Sequence, residues 1–377
     1  MEELIELTSK LIQFPSLNPK IDEESMVNTA NFIKDWLSDK GIEARIKEYS
    51  SGWPTVIAEV GKGKRSVLLN GHFDVVPTGE IKSWKINPFS GKIIDGRIYG
   101  RGASDMKSGV AVNMMLLKEL ADRLDYKLIF TAVSDEETGG FNCSKFLAQD
   151  YKPDLVLISE PSGSDSLILG EKGLLQVRLV SKGRAAHGSI PSAGVNAIEL
   201  LIKDLMNLSK ISNLEISLPK DSEILVDNTL RRMQLELGKY IKELRTISFN
   251  IGTIKGGVKV NVVADKCEAE VDMRIPFGIT YKEAFEKVKS LVENSEIEII
   301  QSSNPNYTSP YNEHAKKLKS IIEKNIKKEV REMLITGATD GRYFREHNIP
   351  VLVYGPGKLG QAHVYDEHVE IQDLKLL

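Results

Sequence analysis

His72 and Asp74 stand two residues apart, just beyond the run Ser66–Asn70. At a strand end that spacing sends both side chains the same way. Asp74 can then accept the free ring N–H of an imidazole that binds metal through its other nitrogen. Glu136 and Glu137 follow a second apolar run, Lys127–Val133, and Glu160 follows a third, Leu155–Ser159. A carboxylate bound to metal cannot also carry a proton, and adjacent glutamates point in different directions, so this pair can divide those roles. Asp105 lies in the glycine-rich stretch Gly91–Gly109, and His363 in another glycine-rich stretch near the end. His72, Asp105, Glu137, Glu160 and His363 are therefore the candidate metal ligands. Two imidazoles and three carboxylates suit zinc first and cobalt as the alternative. Two divalent ions and one hydroxide would nearly neutralise the three carboxylates, whereas one ion would leave buried negative charge in excess. Each piece alone reads as a polar strand end or a solvated acidic turn. Their comparable positions in one α/β unit outweigh that reading.

Such residues need a scaffold that gathers strand ends. Residues 2–13 and 24–39 have the periodicity of amphipathic helices, the second stopped by Gly41. Strands over 66–70, 127–133 and 155–159 alternate with a helix over 110–122 and a short helix after Glu137. This order predicts an α/β catalytic domain with a mostly parallel central sheet flanked by helices, its polar residues at the C-terminal strand ends. Near residue 173 the pattern changes. Strand 174–182, helix 196–208, strands 246–254 and 266–275, helix 281–292 and strand 296–301 give the βαββαβ order of an α+β ferredoxin-like unit. The charged segment 211–244 has no place in that plan. Helix 312–326, a glycine-rich loop at 337–341, strand 351–354 and a terminal helix restore the first pattern. The chain is thus predicted to contain a discontinuous catalytic domain, 1–173 and 303–377, interrupted by a lid or dimerisation domain, 174–302.

Composition narrows the function. A chain of 377 residues with 41% hydrophobic content can bury two cores. The net charge of −3, with both signs dispersed, provides no basic footprint for nucleic acid. Apolar stretches are broken every few residues, well short of the roughly 20 that span a bilayer. The acidic, amphipathic start Met-Glu-Glu-Leu-Ile-Glu-Leu is unlike a secretory signal. Cys143 and Cys267 have no CxxC spacing and read as reduced core thiols. These features predict a cytoplasmic protein with no nucleic-acid and no membrane partner. Gly355-Pro356-Gly357-Lys358-Leu359-Gly360 satisfies GxGxxG after a strand, but it runs into Gln361-Ala362-His363 with proline in the turn. It reads as the loop that delivers His363 and not as a nucleotide site.

Four segments in order complete the pattern: Gly71-His72-Phe73-Asp74-Val75-Val76-Pro77, Gly100 to Gly109, Asp135-Glu136-Glu137-Thr138-Gly139-Gly140 and Ser159-Glu160-Pro161. Together they resemble the family of succinyl-diaminopimelate desuccinylase, acetylornithine deacetylase, aminoacylase and carboxypeptidase G, essentially end to end. The resemblance implies two zinc ions bridged by Asp105, with His72 and Glu160 as outer ligands of one position. Glu137 and His363 are assigned to opposite ions. It also implies Glu136 as the general base and a cis peptide after Asp105. Gly183 to Ser189 resembles the segment whose histidine, here His187, reaches the partner subunit's site and holds the reacting carbonyl oxygen. Asn261, Arg274 and Arg342 match substrate-binding positions, and Arg342 is suited to a bidentate carboxylate pair.

Ala264 replaces a proline common in the family, and Ala362-His363-Val364-Tyr365-Asp366-Glu367 replaces Ala-His-Thr-Pro-Asp-Glu. His314, His347 and His368 match no catalytic position. The function implied is hydrolysis of the amide bond of an N-acyl amino acid, of the deacetylase or desuccinylase type. A water bridging the ions, acidified toward neutral pH, would lose its proton to Glu136 and attack the carbonyl. The alternative is a metallo-carboxypeptidase or dipeptidase acting on short peptides. A homodimer through the inserted domain is expected.

Overall fold

Strand Ser66–His72 buries every residue from Leu68 to His72. Continuous burial marks a strand covered on both faces, the condition of a parallel sheet. In the computed structural model, which describes all residues except 122, 239, 240, 242, 376 and 377, this strand lies at the centre of the main sheet. The order across that sheet is Ala44–Ser50, Trp53–Val60, Lys127–Val133, Ser66–His72, Leu155–Ile158, Val351–Val353 and Ser166–Glu171. Lys127–Val133, Ser66–His72, Leu155–Ile158 and Val351–Val353 run parallel to one another. An antiparallel hairpin, Ala44–Ser50 with Trp53–Val60, extends one edge and was not apparent in the sequence.

Helices Glu2–Ile12, Pro19–Asp39 and Ser108–Leu120 supply Leu7, Leu11, Met26, Ile33, Val110 and Met114 to the core formed with Leu69 and Phe130. The second is broken at Asp22 (φ −154°, ψ 83°): a short turn that Asn18 caps at Lys20 precedes the expected helix, and Asp22 Oδ1 accepts the Ser25 N–H at 2.9 Å where that helix starts. Gly41 has φ 78° and donates to Ser38, the left-handed position that ends such a helix. Asp122, expected to end the third helix, lies outside the described residues. Lys92–Ile94, Arg97–Tyr99 and His368–Glu370 form a small antiparallel sheet in a region expected to be loop and helix. The terminal helix is short, Ile371–Lys375.

The chain divides into two compact units. The first is Met1–Leu169, Thr308–Glu332 and Thr339–Leu377, and the second is Gly170–Tyr307 with Met333–Ala338. Within the second, Gly173–Lys182, Asn250–Gly256, Lys266–Ile275 and Ser295–Ser303 form one antiparallel sheet. Helices Ala197–Leu208 and Tyr281–Leu291 pack on it through Leu201, Leu205, Ala284 and Val288. This is the βαββαβ order. The unit is wider than 174–302 because Gly170 and Glu171 pair with Tyr307 and Asn306, and Lys172 donates to Ile335. Segment 211–244 contains a further helix, Glu223–Leu237, and residues 239, 240 and 242 within it are outside the described set. Among the described residues, no helix is long and apolar enough to cross a membrane.

Candidate metal centre

Parallel strands deliver their C-terminal ends to one place, and three of them end in the expected residues. His72 closes Ser66–His72, Glu136 and Glu137 open the tight turn after Lys127–Val133, and Glu160 follows Leu155–Ile158. Gly109 and Gly355 are required there. A Cβ at either would fall 2.2 or 2.1 Å from the carbonyl oxygen of Ser159, displacing the strand end that carries Glu160. Gly355 thus serves packing against Ser159, in keeping with a loop that leads to His363. His363 itself has φ 63°, left-handed backbone that is uncommon without glycine. The Asp105–Met106 peptide is cis.

The expected ligands fall into two triads. His72 Nε2 lies 3.0 Å from Asp105 Oδ1 and 3.3 Å from Glu160 Oε1. His363 Nε2 lies 3.3 Å from Asp105 Oδ2 and 3.0 Å from Glu137 Oε1. Asp105 therefore gives one oxygen to each triad. Glu137 and His363 share a triad, which corrects their assignment to opposite ions. Glu160 already stands beside His72, and the turn at His363 carries its ring to Glu137. Glu136 belongs to neither triad and lies 4.0 Å from His72 Nε2.

The donor set fits divalent cations. Burial alone would lower the His72 imidazole, but Glu160, Asp105 and Asp74 hold it well above its ordinary value. Hydrogen bonds to Asp105 and Glu137 lift His363 to about 10. Burial, reinforced by Asp105, pushes Glu160 up to about 8, and burial also raises Glu136 well above the carboxylate range. Carboxylates crowded in this way call for positive charge beside them. An ion in each triad would supply that charge to nitrogen and oxygen donors of the kind zinc and cobalt accept.

Asp74 supports His72 differently from the expectation. The ring Nδ1 meets the backbone carbonyl of Asp74 at 3.0 Å, and the nearer carboxylate oxygen, Oδ1, is at 3.4 Å. Its other oxygen accepts the Glu137 N–H at 3.0 Å, tying a ligand from one triad to the turn that carries the other. Arg342 is buried and donates Nη2 to the carbonyl of Gly139 at 2.6 Å, so it also braces the Glu136 turn. In the second unit, His187 and Asn261 come together through the His187–Val262 bridge and a 2.8 Å bond from Gly188 N–H to the Asn261 carbonyl. Both are exposed. Arg274 is near the opposite end of Lys266–Ile275 from the Asn261 loop, with Nε 2.9 Å from Asp272.

Three buried acids escaped notice in the sequence. Asp135 accepts N–H groups from Asn142 at 2.6 Å and Cys143 at 2.7 Å, Asp340 accepts from Asn70, and Glu367 pairs with Arg101. Each stood inside a segment already singled out, beside Glu136, Arg342 or His363. An acid in a motif with no assigned role was the available signal.

The sequence pattern of Peptidase family M20/M25/M40 matches residues 68–377. A metallohydrolase of Methanocaldococcus jannaschii is 28% identical, covering 99% of this chain and 96% of its own. A probable succinyl-diaminopimelate desuccinylase of Staphylococcus epidermidis is 27% identical, over 98% and 93%. An acetylornithine deacetylase of Proteus mirabilis is 28% identical, over 97% and 92%. Among solved structures, an M20 family metallo-carboxypeptidase from Sulfolobus solfataricus has the same fold, with TM-score 0.84 and 23% identity over 100% of this chain and 97% of its own.

Proposed function

The chain belongs to peptidase family M20/M25/M40, a family of metal-dependent hydrolases, and from that premise we propose that it hydrolyses the amide bond of an N-acyl amino acid. The observation that carries this reading is a pair of triads sharing Asp105, with Glu136 beside them and in neither. The deacetylase and desuccinylase among its relatives support an acyl substrate over a longer peptide.

His72, Asp105 and Glu160 would hold one ion, and Asp105, Glu137 and His363 the other. Zinc or cobalt bound there would supply a water acidified toward neutral pH and an electrophile for the carbonyl oxygen. Glu136, free of ligation, takes the proton from water and returns it to the leaving amine. Asp74 and Arg342 keep the Glu136–Glu137 turn in register with His72. Arg274 and Arg342 are the candidates for the substrate carboxylate, with Asn261 as a further substrate contact. The test is a panel of N-acetyl amino acids, N-succinyl amino acids and dipeptides, assayed on metal-free protein and again after zinc or cobalt is restored. Metal-dependent turnover of acyl substrates is expected. Preference for dipeptides would move the reading to a dipeptidase or carboxypeptidase, and turnover without metal would refute it.

We further propose a homodimer in which His187 of one copy polarises the carbonyl at the partner's metals. Every residue of Asn250–Gly256 is exposed on a sheet edge, and Ile251, Ile254, Ile202 and Met206 are exposed in the same unit. An unprotected apolar edge of this kind invites a second strand. Mixing inactive His187→Ala with inactive Glu136→Gln should restore partial activity, because a mixed dimer then contains one intact site. No recovery after verified subunit exchange would rule the shared site out.

A further inference from the structure

We propose that Glu367 is a positioning residue that clamps Asp105 across the two triads, an inference that rests on reading Asp105 as their shared ligand. Glu367 is wholly buried. Its Oε2 lies 2.6 Å from Nη1 of Arg101, which is also buried. Its Oε1 accepts the backbone N–H of Ser104 at 3.0 Å and of Asp105 at 3.1 Å. One oxygen is anchored by a guanidinium, and the other grips the backbone of the bridging residue. Neither Glu367 nor Arg101 belongs to a triad.

The small antiparallel sheet makes this contact possible. His368–Glu370 pairs with Arg97–Tyr99, and the Glu367 carbonyl continues the ladder by accepting the Gly100 N–H at 2.8 Å. The segment after His363 therefore runs back along the segment before Asp105. Arg101 also donates to the carbonyls of Val364 at 3.3 Å and Pro77 at 3.4 Å, and its guanidinium sits 5.2 Å from the centre of the Trp84 ring. The anchor is fixed on several sides.

A bridging carboxylate has less freedom than an outer ligand. Oδ1 of Asp105 must face His72 while Oδ2 faces His363, so a backbone shift that favours one triad withdraws from the other. Loosening Glu367 should thus weaken both ions together, whereas Glu160→Gln should weaken chiefly one. Partners that orient metal ligands commonly change affinity by about 10–100-fold.

The experiment is cobalt titration of metal-free protein, followed by visible absorption and calorimetry. Removing Glu367 alone would strand the Arg101 charge in the interior, so charge-balanced double variants are compared. Arg101→Met with Glu367→Gln keeps an oxygen for the two N–H groups and should hold both cobalt ions more tightly than its leucine counterpart. Arg101→Met with Glu367→Leu removes that oxygen and should weaken both by about 10–100-fold. A leucine variant that binds both ions as tightly as the glutamine variant, or that loses only one, overturns the clamp. Should circular dichroism show the leucine variant unfolded, Glu367→Asp decides the matter. It keeps the charge pair but shortens the reach, so joint weakening supports the clamp and unchanged binding overturns it. Wild-type protein that takes up only one ion overturns the two-metal reading and the clamp with it. Two ions in the wild type with unaffected variants overturn the clamp alone.

Discussion

Strand Ser66–His72 in the first unit and strand Lys266–Ile275 in the second are both central in their sheets, and they use that position differently. The first is buried continuously from Leu68 and ends on a buried imidazole. The second hides Cys267, Ala269, Val271, Met273 and Ile275 and leaves Glu268, Glu270, Asp272 and Arg274 on its outer face. Polar groups in the second unit thus mostly keep their water. Around the first strand, His72, Asp74, Asp135, Glu160, Asp340 and Glu367 have given it up, and each must find a partner or suffer the cost of desolvation. The contrast separates a strand that carries a ligand candidate in its buried end from one that packs a core and keeps its polar residues, Arg274 among them, on the outer face, and substitutions in the two cores should sort accordingly.

The largest effect should come from Glu136→Gln. A positioned proton carrier contributes about 10²–10⁴-fold, so kcat should fall by that amount while both metals stay bound and the melting temperature hardly moves. Metal analysis beside kinetics checks it; loss of metal would make Glu136 a ligand and blur the contrast.

In the second unit, Leu179→Ala should do the reverse. Leu179 is fully buried in that core, and its truncation should cost about 2–5 kcal/mol in denaturant unfolding. Metal content of the folded fraction should not change.

Asp204→Ala probes an exception, a buried acid in the packing region. Burial would raise the Asp204 carboxyl, yet hydrogen bonds from Ser295, Glu293 and Asn294 outweigh it and hold the group below its ordinary value. A carboxyl depressed on folding stabilises above its unfolded pKa, near 3.9, and that stabilisation fades as pH falls through the lower folded value. The variant should lose about 1–3 kcal/mol at pH 6, and the gap to wild type should narrow at strongly acid pH. A gap independent of pH would deny the carboxylate its part.

The smallest effect belongs to Arg178→Ala. Its pair with Glu270 is 2.8 Å long but more than one-third exposed on both sides, so the loss should be hard to resolve in denaturant unfolding and should shrink in added salt.

Much of this organisation was legible in the sequence where burial is periodic. Lys127–Val133 and Lys266–Ile275 announced themselves because one or both faces must be apolar. Ala44–Ser50 did not, since it is an edge strand whose exposed Arg45, Lys47 and Glu48 look like loop. Asn250–Gly256 was expected to start four residues and end two residues earlier, because an exposed strand has no buried face to fix its limits. The ligands were visible as residue types at strand ends. Their partition was not, because the pairing of His363 with Glu137 depends on a left-handed turn and on loops distant in sequence. Glu367 was hidden for a related reason. Its partner Arg101 becomes a neighbour only through the pairing of two three-residue strands.

The position of Val351–Val353 has a consequence for how the chain is made. It pairs in parallel with Leu155–Ile158 on one side and meets Ile168 on the other, so an interior strand of the main sheet comes from far downstream. A growing chain can form the Gly170–Tyr307 part of the second unit from nearby segments while the first still has an open slot. That slot waits through the synthesis of nearly two hundred further residues, exposing strand edges on which chaperones or like chains could act. Only after Val351–Val353 enters can His363 follow it to the second triad. A ribosome-bound intermediate stalled before residue 351 should then capture no second ion.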